Sequence, residues 1–226
     1  MTEQFINTPS SGASRHLLPA GEKKPVAMLA PSSPHRGEGG SRSEPGEGAA
    51  FAIANETAAD IAARDALLDR AMGPRWRRKS SEKLRRGRRP SEGLAFVARD
   101  ETGRVAGTVR LWDVRLGDGG GNALLLGPLA VDPSVKSAGI GSALMRHAIA
   151  EAARLGHGAV LLVGDPAYYA RFGFTAEKTD ALAMPGPYEK HRFLALELAE
   201  GALDGAAGVL RPAGRKIEAT ARRLAA

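Results

Sequence analysis

Residues 129–145 read LAVDPSVKSAGIGSALM, and in them an apolar strand gives way to a helix across Gly139-Ile140-Gly141. The first amides of a helix have no partner inside the helix and carry partial positive charge, so such a turn is a natural anion site. Glycine lets a phosphate approach these amides because no Cβ is in the way, and Lys136 adds a positive charge. The alternative is a tight turn into which glycine simply fits, and the two glycines alone do not decide between these interpretations.

The turn matches neither of two common nucleotide-binding motifs. A Walker A motif needs Gly-Lys followed by Ser or Thr, whereas Gly141 is followed by Ser142-Ala143. A dinucleotide fingerprint needs a third glycine, near where this chain has Leu144, and an acidic residue about twenty residues later. The ligand of the turn must therefore be inferred from the rest of the chain.

The composition is that of a globular protein with an excess of positive charge. The 226 residues are 43% hydrophobic with a formal net charge of +7, and no apolar run approaches the length of about 18 residues that a membrane span needs. The absence of cysteine excludes disulfides, thiolate metal sites and a cysteine nucleophile. The five histidines lack ligand spacing, so we expect no metal site. We see no secretory signal and expect a cytoplasmic protein.

The composition also changes along the chain. Residues 1–49 are dense in Gly, Pro and Ser, which predicts a disordered extension. We expect the folded domain in residues 50–214 and a charged tail in residues 215–226. Residues 75–89 carry nine basic residues against one acidic residue, Glu82. This basic run is either a solvated helix and loop or a site for nucleic acid. We favour the first, because Trp76 is its only aromatic residue and no nucleic-acid-binding motif is present.

The order of the expected elements is that of an α+β domain. A strand at Phe51–Asn55 precedes a helix that begins at Thr57, where Asp60 has capping-box spacing, and ends at Gly73. The later elements are two hairpin strands, an apolar strand, a helix, a second apolar strand, a short helix and two further strands, at residues 94–100, 105–114, 123–131, 139–155, 159–163, 166–172, 193–198 and 208–211. This order predicts a mixed sheet with one strand–helix–strand crossover in the middle.

Two elements beside the glycine turn have clear patterns. The strand at residues 123–131 is almost wholly apolar, so we expect it to be central and covered on both faces. The helix at residues 139–155 carries one apolar stripe, formed by Ile140, Leu144, Ala148, Ala152 and Leu155.

A second motif lies one crossover later, in AVLLVGDPAYYARFGF (residues 159–174). Together with the glycine turn it resembles the GNAT superfamily of acyl-CoA-dependent N-acetyltransferases, in its YhbS-like branch, over roughly residues 51–214. The resemblance implies a GNAT-like α+β fold, in which a mixed, mostly antiparallel central sheet is flanked by helices in three α/β/α layers. It also implies an enzyme that transfers an acetyl group from acetyl-CoA, its co-substrate, to an amine.

The resemblance assigns roles to individual residues. In the family, the main-chain amides of the glycine loop bind the coenzyme A pyrophosphate, and here Lys136 stands where the family has Gln or Arg. The preceding strand offers main-chain groups to the pantetheine arm, which lies where the sheet splays open toward Ala159–Val163. The implied coenzyme-binding residues are Leu129, Ala130, Val131, Lys136, Ser137, Ala138, Gly139, Ile140, Gly141 and Ser142.

Tyr169 is the implied catalytic residue. It lies four residues before Gly173, where the family has a tyrosine that protonates the departing thiolate, and its neighbour Tyr168 is expected to be a packing residue. A general base is not visible, because the strand at residues 123–131 has no carboxylate and Asp165 has the position of a helix N-cap. An ordered water or an amine that arrives deprotonated would suffice.

The acceptor is a small-molecule or protein amine that the sequence does not identify. In this fold its pocket is built by the first helices, the hairpin of Trp112 and residues 179–192. The alternatives are a non-catalytic acyl-CoA-binding or regulatory module, favoured by the missing base, and a nucleic-acid binder that uses the basic run. We expect no membrane partner, and a homodimer is left open.

Overall fold

The computed structural model describes residues 51–118, 120–135 and 138–218. The expected disordered extension, Lys136, Ser137 and the tail beyond residue 218 lie outside the described residues. Within the described ranges, none of the helices combines the length and the apolar character that a bilayer crossing requires.

A mixed sheet forms the centre of the domain. The strands, in chain order, are β1 (Phe51–Asn55), β2 (Ala95–Asp100), β3 (Val105–Arg115), β4 (Asn122–Val131), β5 (Ala159–Val163), β6 (Leu182–Ala183), β7 (Phe193–Glu197), β8 (Gly208–Val209) and β9 (Arg211–Pro212). The main sheet has the order β1-β2-β3-β4-β5-β7, with β9 paired to β3, while β6 and β8 form a separate pair. Within the main sheet only β4 and β5 are parallel. The predicted mixed, mostly antiparallel sheet is confirmed.

Helices cover both faces of this sheet. The α-helices are α1 (Ile61–Met72), α2 (Glu82–Arg85), α3 (Ile140–Arg154) and α4 (Pro166–Tyr169). Leu124 and Leu126 of β4 pack into the cluster on the α3 side. Leu125, between them, packs on the opposite face together with Leu84 of α2. This alternation follows from the two-residue period of a strand, and it confirms the three layers and the burial of β4 on both faces.

The start of α3 lies close against the sheet at β3. A Cβ placed on Gly107 would lie 2.7 Å from Ile140 Cγ2 and 2.9 Å from Leu144 Cδ1. A larger residue at this position would push the helix away from the strand. The absence of a side chain at Gly107 therefore allows the start of α3, next to the glycine turn, to pack closely on β3.

The helix that begins near Thr57 is confirmed, with a capping box in which the Thr57 amide donates to Asp60 Oδ2 at 2.9 Å. One expectation for α3 is wrong. Leu155 does not continue the buried stripe and is 42% exposed, because it lies one residue beyond the last helical residue, where the backbone has left the helical conformation.

The expected strand at residues 208–211 is also different. It is divided into β8, which pairs with β6, and β9, which pairs with β3. Leu210 lies buried between them and donates its amide to Ala183 O at 2.8 Å. The beginning of the expected tail is hydrogen-bonded to the domain, because the Ile217 amide donates to Gly87 O at 2.9 Å.

Candidate active site

The glycine turn opens onto a cavity of about 400 Å³ at the start of α3. Gly139 precedes the helix with φ of 76°, a left-handed conformation that favours glycine. Gly141 lies in the first turn, where a Cβ would be 3.2 Å from Tyr168 Oη and 3.4 Å from Val131 Cγ2. Arg171 adds a cation to the lining of the cavity. Unpaired helix amides, missing side chains and a nearby guanidinium together suit an anionic ligand.

Asp132 holds the chain between β4 and this turn. Its Oδ1 accepts hydrogen bonds from Ser134 N at 3.0 Å and from Ser134 Oγ at 2.8 Å, and its Oδ2 accepts one from Arg70 Nη2 at 2.8 Å. These bonds lower the pKa of Asp132 to about 2, with the Ser134 amide as the largest cause. The Asp132 carboxylate thus connects the loop after β4 to Arg70 of α1.

A gap opens between β4 and β5 beside this loop. In the described chain the two strands pair only at Leu124↔Val160 and Leu125↔Leu161, although β4 continues to Val131. The register against β3 also shifts here, and Trp112 Nε1 donates to Gly127 O at 2.6 Å. A cavity of about 80 Å³, which we call the gap cavity, lies at this point. The expected splaying of the sheet is present.

Tyr169 lines the gap cavity from the β5 side. Asp165 caps α4 by accepting a hydrogen bond from Ala167 N at 3.1 Å, as predicted. A Cβ on Gly164 would lie 2.1 Å from Tyr169 Cε2, so the ring rests where only glycine leaves room. Burial raises the pKa of Tyr169 to about 12. The hydroxyl is therefore neutral at physiological pH and able to donate a proton or a hydrogen bond.

Comparison with known proteins identifies the family. A model of the acetyltransferase (GNAT) domain matches residues 91–176, which contain both the glycine turn and Tyr169. The uncharacterized N-acetyltransferase YhbS of Escherichia coli (strain K12) is 32% identical over 117 residues, which are 52% of this chain and 70% of that protein. The chain belongs to the GNAT family of N-acetyltransferases.

The GNAT fold is supported by a solved structure as well. The crystal structure of the GNAT family N-acetyltransferase YhbS from Escherichia coli, in complex with CoA, is similar with a TM-score of 0.60 and 28% identity. The similarity covers 76% of this chain and 93% of that chain. The resemblance to the YhbS-like branch is confirmed.

The described residues that the GNAT resemblance assigned to the coenzyme lie at the end of β4 and around the start of α3. Leu129 lines the gap cavity, whereas Val131 and residues 139–142 line the cavity at the glycine turn. Ala138 packs at the margin of the core under α3. The Ala130 side chain faces the opposite side of the sheet, against Leu68 and Trp76, so this residue has only its main chain to offer.

Tyr168 does more than the expected packing. Its ring contacts those of Tyr169 and Phe172, at centroid distances of 4.9 Å and 5.6 Å. Its hydroxyl, however, lies at the glycine turn beside Gly141 and lines the same cavity. The sequence pattern missed this because α4 is a single turn, whose two adjacent tyrosines face different cavities.

The three segments that were expected to build the acceptor pocket line two cavities next to the gap cavity. A cavity of about 140 Å³, which we call the arginine cavity, includes Trp112 of β3 and residues of α1 and α2. Residues 187–189 and Arg192 line a further cavity of about 260 Å³, which shares Lys79 and Val163 with the gap cavity.

A general base is not apparent beside Tyr169. In the described part of the chain no carboxylate lines the gap cavity, and no three His, Asp or Glu side chains are grouped as metal ligands would be. Glu56, a buried carboxylate near β1, is held by Arg64 at 2.9 Å and by Arg110. This cluster of three charged groups joins the end of β1 to α1 and β3.

The basic run is largely the solvated helix and loop that was favoured, because six of its eight described basic side chains are exposed. Three of its residues are exceptions. Trp76, Leu84 and Arg85 are buried against the sheet and α1. Arg77 and Trp76 both donate to Asp69 Oδ1, at 2.7 Å and 2.8 Å. The run folds back because it contains apolar residues at intervals, which the count of charges had obscured.

Proposed function

We propose that this GNAT chain transfers an acetyl group from acetyl-CoA to a primary amine. The proposal rests on the arrangement along β4. The cavity at the glycine turn lies at the end of this strand, and the gap cavity, lined by Tyr169, lies further back along it. The five residues of extended chain from Gly127 to Val131 span about 13 Å. This stretch gives the pantetheine arm a path from the pyrophosphate to the reacting carbon.

The pyrophosphate binds at the start of α3 in this proposal, as in the GNAT pattern. The coenzyme-binding residues that we propose are Leu129, Ala130, Val131, Lys136, Ser137, Ala138, Gly139, Ile140, Gly141 and Ser142. YhbS of Escherichia coli, crystallised with CoA, supports coenzyme A as the ligand.

Tyr169 is the proposed acid. The neutral amine attacks the thioester carbonyl, the C–N bond forms, and the C–S bond breaks to release the thiolate. The amine proton passes to water, the Tyr169 hydroxyl donates its proton to the thiolate sulfur, and the resulting phenolate takes a proton back from water. A phenol with a pKa of about 12 is a weak acid. Burial in the gap cavity acts on the coenzyme thiol in the same direction, since it disfavours the charged thiolate and raises the pKa of the thiol, which keeps the transfer feasible.

Calorimetry with acetyl-CoA and kinetics of thiol release test the proposal. We expect saturable binding by the wild-type chain and release of coenzyme A when a suitable amine is added. Binding with no release for any amine would favour the non-catalytic module instead. The burial of Trp76 argues against the nucleic-acid alternative, since it removes the only aromatic residue of the run on which a base could stack. A cytoplasmic location and a homodimer stay predictions.

A further inference from the structure

Arg85 is a buried cation with an unused donor. The residue is 6% exposed, and its Nη2 contacts Glu82 Oε2 at 3.2 Å. In the described part of the chain its Nε is the buried side-chain polar atom that has no hydrogen-bond partner. A buried donor without a partner costs free energy, so a group that accepts its hydrogen bond is favoured there.

This guanidinium lies at the reacting end of the proposed site. Arg85, Trp76 and Pro128 line both the arginine cavity and the gap cavity, so the two spaces share a wall. Arg85 Nη1 is 3.9 Å from the point that a Cβ on Gly127 would occupy. Tyr169 lines the gap cavity on the other side. A ligand held by Arg85 therefore lies next to the proposed acid.

The surroundings of Arg85 are positive. The arginine cavity is lined by four arginines and two carboxylates, namely Arg64, Arg85, Arg86 and Arg110 with Asp65 and Glu82. Glu56 also pairs with Arg64 and Arg110, so the excess of positive charge lies at Arg85 and Arg86. In the described residues the gap cavity has Lys79 beside Arg85 and no carboxylate. Desolvation and repulsion from Arg85 and Arg192 lower the pKa of Lys79. An anionic group relieves this repulsion, whereas a second cation increases it.

We propose that the acceptor is an amine that carries a carboxylate, and that the Arg85 guanidinium binds this carboxylate. That the ligand of Arg85 is the acetyl acceptor rests on the proposed function. The existence of an anion site at Arg85 does not depend on that function. A carboxylate fits because it is small and accepts charge-assisted hydrogen bonds from a guanidinium. The cavities of about 80 and 140 Å³ suit a small molecule.

Propionate and its neutral isostere propionamide test the anion site without turnover. The two tryptophans of the chain, Trp76 and Trp112, both line the arginine cavity, so their fluorescence reports ligands there. At constant ionic strength we expect saturable changes in fluorescence and a raised thermal midpoint with propionate, at a Kd of about 1–10 mM. Propionamide should give neither change. Equal responses to both probes, or none to propionate, would overturn the proposal.

Variants assign the site to Arg85. Arg85→Met should weaken propionate binding by about tenfold or more. Arg78→Met is the matched control, because Arg78 is exposed and lines neither cavity, and it should bind as the wild type does. Arg85→Lys keeps the charge but lacks the planar set of guanidinium donors, so it should bind propionate weakly, and it serves if Arg85→Met does not fold. Inorganic phosphate is a third probe, and tighter binding of phosphate than of propionate would overturn the carboxylate assignment.

Acetyl-CoA binding, measured on the same samples, separates this inference from the proposed function. If the chain binds acetyl-CoA but does not respond to propionate, the anion site is refuted and the proposed function stands. A propionate response that depends on Arg85, with no acetyl-CoA binding, would support the anion site and remove the proposed transfer.

Discussion

Replacing Gly141 by alanine separates a ligand-binding glycine from one that merely fits a turn. The added Cβ would lie 3.2 Å from Tyr168 Oη and 3.4 Å from Val131 Cγ2. These contacts are tight, but the tyrosine side chain needs to move by only a few tenths of an ångström. The same Cβ takes space from the cavity at the glycine turn. The change therefore affects the ligand more than the fold.

The substitution has two opposite effects on the free energy of unfolding and an unfavourable effect on acetyl-CoA binding. Alanine is favoured over glycine inside a helix by up to about 1 kcal/mol, which offsets the tight contact, so the free energy of unfolding should change by less than about 1 kcal/mol. If the Cβ removes one charge-assisted hydrogen bond between a helix amide and the pyrophosphate, the loss is about 1.5–3 kcal/mol. This corresponds to a Kd for acetyl-CoA that is about 10–150 times higher.

Denaturant unfolding and calorimetry with acetyl-CoA measure both quantities. Gly121→Ala is the control, because a Cβ on Gly121 meets nothing within 4 Å, and it should leave the affinity unchanged. If Gly141→Ala is stable and binds acetyl-CoA as tightly as the wild type, the coenzyme does not lie against this turn.

Three further predictions concern Asp132 and Tyr169. The pKa of Asp132 is about 2 in the folded chain, below its ordinary 3.8. The ionised carboxylate should therefore stabilise the fold by about 1–2 kcal/mol above pH 4, and this contribution should disappear as the pH falls from 4 to 2. The free energy of unfolding of Asp132→Asn should lack that pH dependence. Tyr169→Phe should lower kcat by about 10²–10⁴ with little change in KM for acetyl-CoA, and an unaffected kcat would assign the acid elsewhere. Gly164→Ala moves the Tyr169 ring by about 1 Å and should lower kcat about 100-fold although the hydroxyl is kept, whereas wild-type kinetics in this variant would refute the packing argument.

The elements around the glycine turn were predictable because each has a local signal. The apolar run of β4, the left-handed Gly139 and the capped start of α4 depend on neighbouring residues alone. The two motifs together also indicated the GNAT family, and with it the mixed, mostly antiparallel sheet. A family resemblance supplied what no local pattern contains, namely the gap between β4 and β5.

The acceptor side could not be predicted in the same way, because its contacts join distant parts of the chain. Arg85 is one of nine basic residues in its run, and nothing local distinguishes it from exposed Arg78. Its burial follows from packing of Leu84 beneath the sheet. Arg70 and Asp132, 62 residues apart, meet only once α1 lies on β4. Of these, only the Asp132-x-Ser134 spacing, typical of an Asx turn, was a signal in the sequence.

Titration of the wild-type chain with acetyl-CoA by calorimetry tests the central claim most directly. The claim is that β4, the glycine turn and Tyr169 form one coenzyme site. The account predicts saturable binding, with one acetyl-CoA per chain and a Kd between about 1 μM and 1 mM. Absence of binding at millimolar acetyl-CoA would contradict it.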